Sequence, residues 1–91
     1  MPPVELDGEW TVERVGGALP PLWGVRKRIR GTRGETLFGP VPVRFDVVGR
    51  ELRYRAPLRG LVDVLEPAGD GFAGRTLLLG RHVGRFRMRR A

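Results

Sequence analysis

The residues with the clearest chemical potential in this sequence are one lysine, one aspartate and one tyrosine. Lys27 is the only lysine of the chain and lies between Val25 and Ile29 in the segment VRKRIR. If this segment is a β-strand, alternate side chains share a face, and Lys27 points to the apolar side. A buried ammonium group has a lowered pKa unless a carboxylate pairs with it. Asp63, in the segment GLVDVL, is the natural partner, and Tyr54 is a third member of the group.

Two interpretations of this group stay open from the sequence. As a ligand site, the three polar side chains would lie beside Phe45 and Phe86 in a small pocket and would fix a ligand's carboxylate or carbonyl. As a structural feature, they would form an ion pair that plugs one end of the fold, or the lysine would reach solvent. The ligand site also requires the right phase of the strand at 60–66, because Asp63 faces water if the neighbouring valines face inward.

Other signatures of chemistry are missing from the sequence. His82 is the only histidine, which excludes a site with several histidine ligands, and a Ser–His–Asp arrangement would need this one residue. We find no phosphate-binding loop, zinc spacing or nucleophile elbow. We therefore expect a protein that is not an enzyme and has no metal and no catalytic residues.

The elements that position these residues are predicted to be β-strands. In VPVRFDVV, residues 41–48, apolar side chains alternate with Arg44 and Asp46, as a half-buried antiparallel strand requires. Glycines and prolines divide the chain into short runs, and no interval of ten residues carries a helical stripe. Eight strands are expected, at 8–15, 24–31, 35–38, 41–48, 51–56, 60–66, 71–79 and 81–89.

So many short strands predict a single all-β domain over residues 1–91. Closure into a small antiparallel up-and-down barrel would leave no open sheet edge. Such a barrel is just wide enough for its own side chains or for one small ligand, and the sequence leaves both alternatives open. The predicted inner wall consists of Trp10, Val12, Val25, Ile29, Val41, Val43, Phe45, Val47, Leu52, Tyr54, Phe72, Phe86 and Met88.

The closing stretch RFRMRR, residues 85–90, admits a strand or a basic tail. Alternation continues upstream and places His82, Gly84, Phe86 and Met88 on one face, with arginines on the other. A disordered tail does not need an apolar residue at every second position. A closing strand is therefore predicted.

The net charge of +7 favours contact with anionic partners. All basic residues except Lys27 are arginines, which is also typical of codon bias in a GC-rich genome. An outer wall of arginines could bind nucleic acid, although the aromatic residues needed for base stacking fall mostly on the opposite face. That wall would consist of residues 26–30 together with Arg53, Arg55, Arg85, Arg87 and Arg89.

The chain resembles the calycin superfamily, the lipocalin-like barrels. Gly8-Glu9-Trp10 matches the Gly-x-Trp of their first strand, and an arginine near the end of their last strand packs over that tryptophan and closes the barrel floor. The resemblance assigns this closing role to Arg85, Arg87 or Arg89. The pattern is closest to uncharacterised bacterial proteins of the Gly-x-Trp-x-Gly type, with Asp63 at their buried aspartate, but the second glycine is replaced by Val12.

The same resemblance raises the alternative of a cofactor. Haem-binding calycins of the nitrobindin type carry a histidine in their closing strands, which His82 matches, so axial ligation of haem is one interpretation. The other is a partly exposed histidine at a strand end. The chain is short for a haem pocket, and no cofactor is expected.

Taken as a whole, the sequence predicts a non-enzymatic binding protein for a small apolar or amphiphilic molecule. Nucleic-acid binding through the arginines, or a structural or oligomerising module with a filled core, are the alternatives. The opening MPPVELDGEW shows no signal peptide, and no segment is apolar enough to span a membrane. We expect a cytoplasmic monomer or homodimer.

Overall fold

The computed structural model describes residues 4–17 and 25–91, which form eight β-strands preceded by one turn of 3-10 helix. The helix, η1, spans Val4–Leu6. The strands are β1 (Gly8–Gly17), β2 (Val25–Arg30), β3 (Arg33–Phe38), β4 (Val41–Val48), β5 (Glu51–Tyr54), β6 (Leu61–Ala68), β7 (Gly71–Leu78) and β8 (Arg81–Arg90). All eight predicted strands are confirmed, with ends shifted by a few residues; position 24 of the predicted second strand lies outside the described residues.

The strands pair in chain order, every pair is antiparallel, and β8 pairs with β1 to close the barrel. The predicted small all-β barrel is thereby confirmed. The closing stretch is part of β8, where Met88 lies opposite Val12 and Phe86 opposite Arg14. None of the described residues belongs to a helix long and apolar enough to cross a membrane.

Alternation of side chains sets which residues enter the barrel. Along β2, Val25, Lys27 and Ile29 are buried while the arginines between them are exposed. The buried apolar core consists of Leu6, Trp10, Val12, Val25, Ile29, Phe45, Leu52, Tyr54, Leu65, Phe72, Phe86 and Met88.

Three features of the core differ from the predicted inner wall. Val41, the first residue of β4, is 56% exposed because it lies at the barrel rim, whereas Val43 and Val47 are partly buried against the core. Leu65 enters the core because β6 has the phase that turns Asp63 inward. Leu6 enters it from outside the strands.

His82 does not share the inner face with Gly84, Phe86 and Met88. The register between β7 and β8 shifts between Thr76 and Leu77, which lie opposite Gly84 and His82 respectively. The extra residue interrupts the alternation, as a β-bulge does. His82 is therefore exposed, and the predicted inward orientation of this side chain is wrong.

One end of the barrel is closed by η1 and the last strand. Leu6 is only 1% exposed, and its carbonyl accepts a 2.9 Å hydrogen bond from Trp10 Nε1. The guanidinium of Arg90 lies 4.3 Å from the Trp10 ring centroid and donates to the carbonyls of Glu5 and Asp7. This cation–π contact joins first and last strands, as expected.

The arginine over Trp10 is Arg90, not one of the three residues to which the resemblance assigned the role. Arg85, Arg87 and Arg89 are exposed on the outer face of β8. Arg90 lies directly opposite Trp10 in the β1–β8 register, at the strand end where its side chain can fold over the barrel floor.

Two glycines make room for the largest rings inside the barrel. A Cβ at Gly34 would lie 2.5 Å from Phe45 Cε1, and a Cβ at Gly74 would overlap the Phe86 ring. Each glycine is the direct cross-strand partner of the phenylalanine that covers it. The barrel can thus hold both rings because the neighbouring strand has no side chain at these points.

Gly74→Ala is expected to destabilise the fold by about 1–3 kcal/mol, the usual cost of forcing atoms into a packed core. Thermal unfolding measures this as a fall in Tm of roughly 4–8 °C per kcal/mol. Gly16→Ala is the matched control, since its Cβ would meet only the Arg85 guanidinium, 3.6 Å away. Equal Tm values for the two variants would contradict this packing.

Candidate functional site

The predicted group of Lys27, Tyr54 and Asp63 comes together in the middle of the barrel. β2 supplies Lys27, β5 supplies Tyr54 and β6 supplies Asp63. Two buried threonines complete the cluster, Thr36 from β3 and Thr76 from β7. We call these five residues the central cluster; each points inward because it falls on the buried phase of its strand.

Hydrogen bonds connect every member of the central cluster. Lys27 Nζ donates to Thr36 Oγ1 at 2.7 Å, to Tyr54 OH at 2.7 Å and to Asp63 Oδ2 at 3.0 Å. Tyr54 OH also donates to Asp63 Oδ2 at 3.0 Å, and Thr76 Oγ1 donates to Asp63 Oδ1 at 2.8 Å. Both carboxylate oxygens of Asp63 are therefore occupied, and the ammonium has three acceptors.

Aromatic rings surround the Lys27 ammonium on its remaining sides. Nζ lies 5.5 Å from the ring centroid of Phe45, 5.4 Å from that of Tyr54 and 5.3 Å from that of Phe86. Cations are attracted to ring faces within about 6 Å. The charge of Lys27 is thus stabilised by one carboxylate, two hydroxyls and three rings.

The pKa of Lys27 reflects opposing effects. Burial alone would lower it, but the charge of Asp63, together with the Tyr54 hydroxyl and the hydrogen bonds to both, raises the pKa above its usual value. Burial also raises the pKa of Tyr54, although the neighbouring ammonium opposes this. At neutral pH the cluster therefore holds a charged lysine and a neutral tyrosine.

The cluster fills the barrel rather than lining an empty pocket. Lys27 and Asp63 are each only 3% exposed, and among the described residues no buried side-chain nitrogen or oxygen lacks a hydrogen-bond partner. Sequence reasoning identified Lys27, Tyr54 and Asp63 but missed the two threonines. The signal was present, because Thr36 and Thr76 occupy inward positions of RGETLF and GFAGRTLL.

A cavity of larger volume lies on the outer surface. A cleft of about 800 Å³ runs across β1 to β4, and we call it the outer cleft. Ile29, Gly34 and Phe45 lie beneath it, but the Ile29 and Phe45 side chains are only 4% and 1% exposed. Charged residues form its sides: Asp7, Glu9, Arg28, Arg30, Arg33, Glu35, Arg44 and Arg55.

Charge pairing within the outer cleft is incomplete. Arg28 lies between two carboxylates, 3.0 Å from Glu9 and 3.9 Å from Glu35. Among the described residues, Arg30, Arg33 and Arg44 form no salt bridge. Three of the cleft's cations are thus available to an anionic ligand.

The remaining predicted site residues lie apart from the outer cleft. Arg85 and Arg87 line a second, smaller cleft of about 260 Å³ over β6 to β8, with Val64 and Gly74 in its lining. His82 lines neither cleft. Within residues 4–17 and 25–91, no three histidine or acidic side chains are grouped closely enough to hold a metal ion.

Comparison with known proteins gave no match to a family model, a curated protein or a solved structure.

Lys27→Met and Asp63→Val, made singly, are each expected to lower the free energy of unfolding by about 3–5 kcal/mol, because each leaves an unpaired partner in the barrel. The double variant should lose less stability than the two single losses added together, and the difference should exceed about 2 kcal/mol. The reason is that neither charge remains in the barrel without its partner. Chemical denaturation measures all three. Additive losses would contradict a direct, desolvated ion pair.

Alkaline pH should weaken the fold. The unfolded chain loses the Lys27 and Tyr54 protons at lower pH than the folded chain, so the free energy of unfolding falls as pH rises above about 10. Tyr54 is the only tyrosine, so its absorbance reports its ionisation alone. We expect a midpoint above 10 in the folded protein that returns to about 10 in denaturant; identical midpoints would contradict a buried hydroxyl.

Proposed function

We propose that this chain is a non-enzymatic binding protein whose ligand is a small amphiphilic anion held in the outer cleft. The observation that carries the proposal is the group of three exposed arginines without a salt bridge to any described residue, Arg30, Arg33 and Arg44, that line this cleft. The arginines suit a carboxylate or phosphate group. The aliphatic stems of these arginines suit the apolar part of the same molecule.

The central cluster supports a location outside the barrel. A ligand inside would have to displace Lys27 from Asp63 and separate rings that pack edge to face, such as Phe45 and Tyr54 with centroids 5.4 Å apart. Breaking a buried ion pair without replacing both partners costs several kcal/mol. In this proposal Lys27, Tyr54 and Asp63 hold the wall in place and do not contact the ligand.

The same geometry supports the absence of catalysis and of haem. The lysine, tyrosine and aspartate that could transfer protons are occupied by one another and buried. Neither cleft provides His82 as a haem ligand. We therefore propose binding without chemistry, by a cytoplasmic monomer or homodimer, a location compatible with a chain that has no cysteine to oxidise.

We further propose that the barrel is calycin-like. Its support is the up-and-down order of eight strands, the Gly8-Glu9-Trp10 segment at the start of β1, and Arg90 over the Trp10 ring. Each matches what the sequence resemblance implies, although the arginine is a different one.

Nucleic-acid binding is the second candidate, and the observation that favours it is the outer arginine face. Arg26, Arg28 and Arg30 are all exposed on β2. Base stacking has little support, because Phe45 and Phe86 are 1% and 4% exposed and Phe38 is the one exposed aromatic side chain among the described residues. Binding of this kind would depend on phosphates alone, with a steep salt dependence.

Titration with anilinonaphthalene sulfonate, an amphiphilic anion, tests the proposal. We expect the fluorescence of the probe to increase and saturate as protein binds it. The affinity for the probe should fall about tenfold when Arg33 and Arg44 are both changed to Gln, since two charge-assisted contacts are lost. Arg89→Gln is the matched control, an exposed arginine that lines neither cleft.

Equal affinity of the cleft and control variants for the probe would contradict the proposed site. An oligonucleotide that is retarded at low salt, with affinity lost equally in cleft and control variants, would support the nucleic-acid candidate instead. Probe binding that disappears in Lys27→Met but not in the arginine variants would indicate that the ligand binds inside the barrel.

A further inference from the structure

The turn between β7 and β8 carries an unusual residue at its tip. Leu79 has φ +50° and Gly80 has φ +82°, so both residues have the positive φ of a type I′ hairpin turn. Asparagine, aspartate or glycine is preferred at the first of these positions, because an aliphatic side chain is strained there. Leu79 is nevertheless 80% exposed, so burial in the core does not offset the strain.

The other two-residue hairpin turns of the described chain show what this position normally requires. Their first residues are Gly31, Gly39, Gly49 and Gly69, with φ between 59° and 62°. Only the β7–β8 turn places a large apolar side chain there. The tip of the Leu79 side chain lies over Gly60, yet the residue stays 80% exposed, and a strained residue so exposed suggests a role outside folding.

Leu79 belongs to a group of exposed apolar residues at one end of the barrel. Its backbone N–H donates to the carbonyl of Gly60 at 2.9 Å, which holds the turn against the loop at 55–60. We call the group the apolar rim. Its members and their exposed fractions are Phe38 41%, Val41 56%, Leu58 37%, Leu78 45% and Leu79 80%.

The charge around the apolar rim is positive. Arg59 and Arg81 are exposed and adjoin Leu58 and Leu79–Gly80 in the chain. The connections that the structure describes at this end, residues 39–40, 55–60 and 79–80, contain no aspartate or glutamate. Carboxylates occur at the opposite end instead, at Glu5, Asp7, Glu51 and Asp70.

We propose that the apolar rim docks onto an anionic phospholipid surface, with Leu79 inserted at the boundary of headgroups and acyl chains. Arg59 and Arg81 would then meet lipid phosphates while their alkyl stems stay in the interface. A protruding aliphatic tip beside arginines suits a bilayer better than a protein partner, whose anchors are typically aromatic residues held in pockets. This inference is independent of the outer cleft.

The variant Leu79→Asn should weaken membrane docking without lowering the stability of the fold. Asparagine tolerates the positive φ and forms the favoured Asn-Gly turn, so Tm should stay equal or rise. Binding to vesicles of phosphatidylcholine with 30% phosphatidylglycerol should fall about tenfold or more, because a leucine side chain is no longer inserted. Arg81→Gln should lower it about fivefold, and added salt should weaken binding.

Val48→Asn is the matched control, since Val48 is 48% exposed at the opposite end of the barrel. Vesicle flotation of all variants, with light scattering for oligomeric state, gives the result. Unchanged vesicle binding of Leu79→Asn, or no binding by the unmodified protein, would overturn the proposal, as would equal binding to pure phosphatidylcholine. A dimer that Leu79→Asn dissociates, without vesicle binding, would overturn it in favour of a second copy of the chain.

Discussion

The ion pair between Lys27 and Asp63 is the interaction on which the rest of this structure depends. Two opposite charges at 3.0 Å are enclosed by a β-barrel, so every polar atom around them must be satisfied by the protein itself. Strands β2, β3, β5, β6 and β7 each supply one member of the cluster. The pair thereby fixes the phase of these strands, because a slip of one residue in any of them would turn its polar group outward.

The interior of the barrel is filled, and our binding proposals therefore concern its outer surface. The barrel closes around the ion pair with Phe45 and Phe86 opposite Gly34 and Gly74, and Arg90 and Leu6 complete its floor. We propose that a ligand binds in the outer cleft, where arginines exceed carboxylates, and that a phospholipid surface contacts the apolar rim at the opposite end, where leucine and arginine lie together. Among the described residues Lys27 is the one buried cation, whereas the arginines are all exposed.

Much of the barrel and of the central cluster could be predicted from the sequence, because period-two alternation fixes which face each side chain occupies. Lys27, Tyr54 and Asp63 were identifiable for this reason. His82 was not placed correctly, because a bulge interrupts the alternation and leaves no mark in composition. Arg90, rather than Arg85 or Arg87, covers Trp10 because of register at a strand end, which alternation does not determine. The outer cleft depends on long side chains from four strands, which no local pattern brings together.

Because Lys27 is the only lysine, NMR of protein labelled with ¹⁵N-lysine observes one side-chain nitrogen, the Nζ of Lys27. The account predicts a sharp Nζ signal at neutral pH, protected from exchange with water, that persists above pH 10 and is unchanged when the amphiphilic anion binds. An ammonium signal lost to rapid exchange, or one that shifts strongly on addition of the anion, would mean that the centre of the barrel is open to solvent and ligand, contrary to this account.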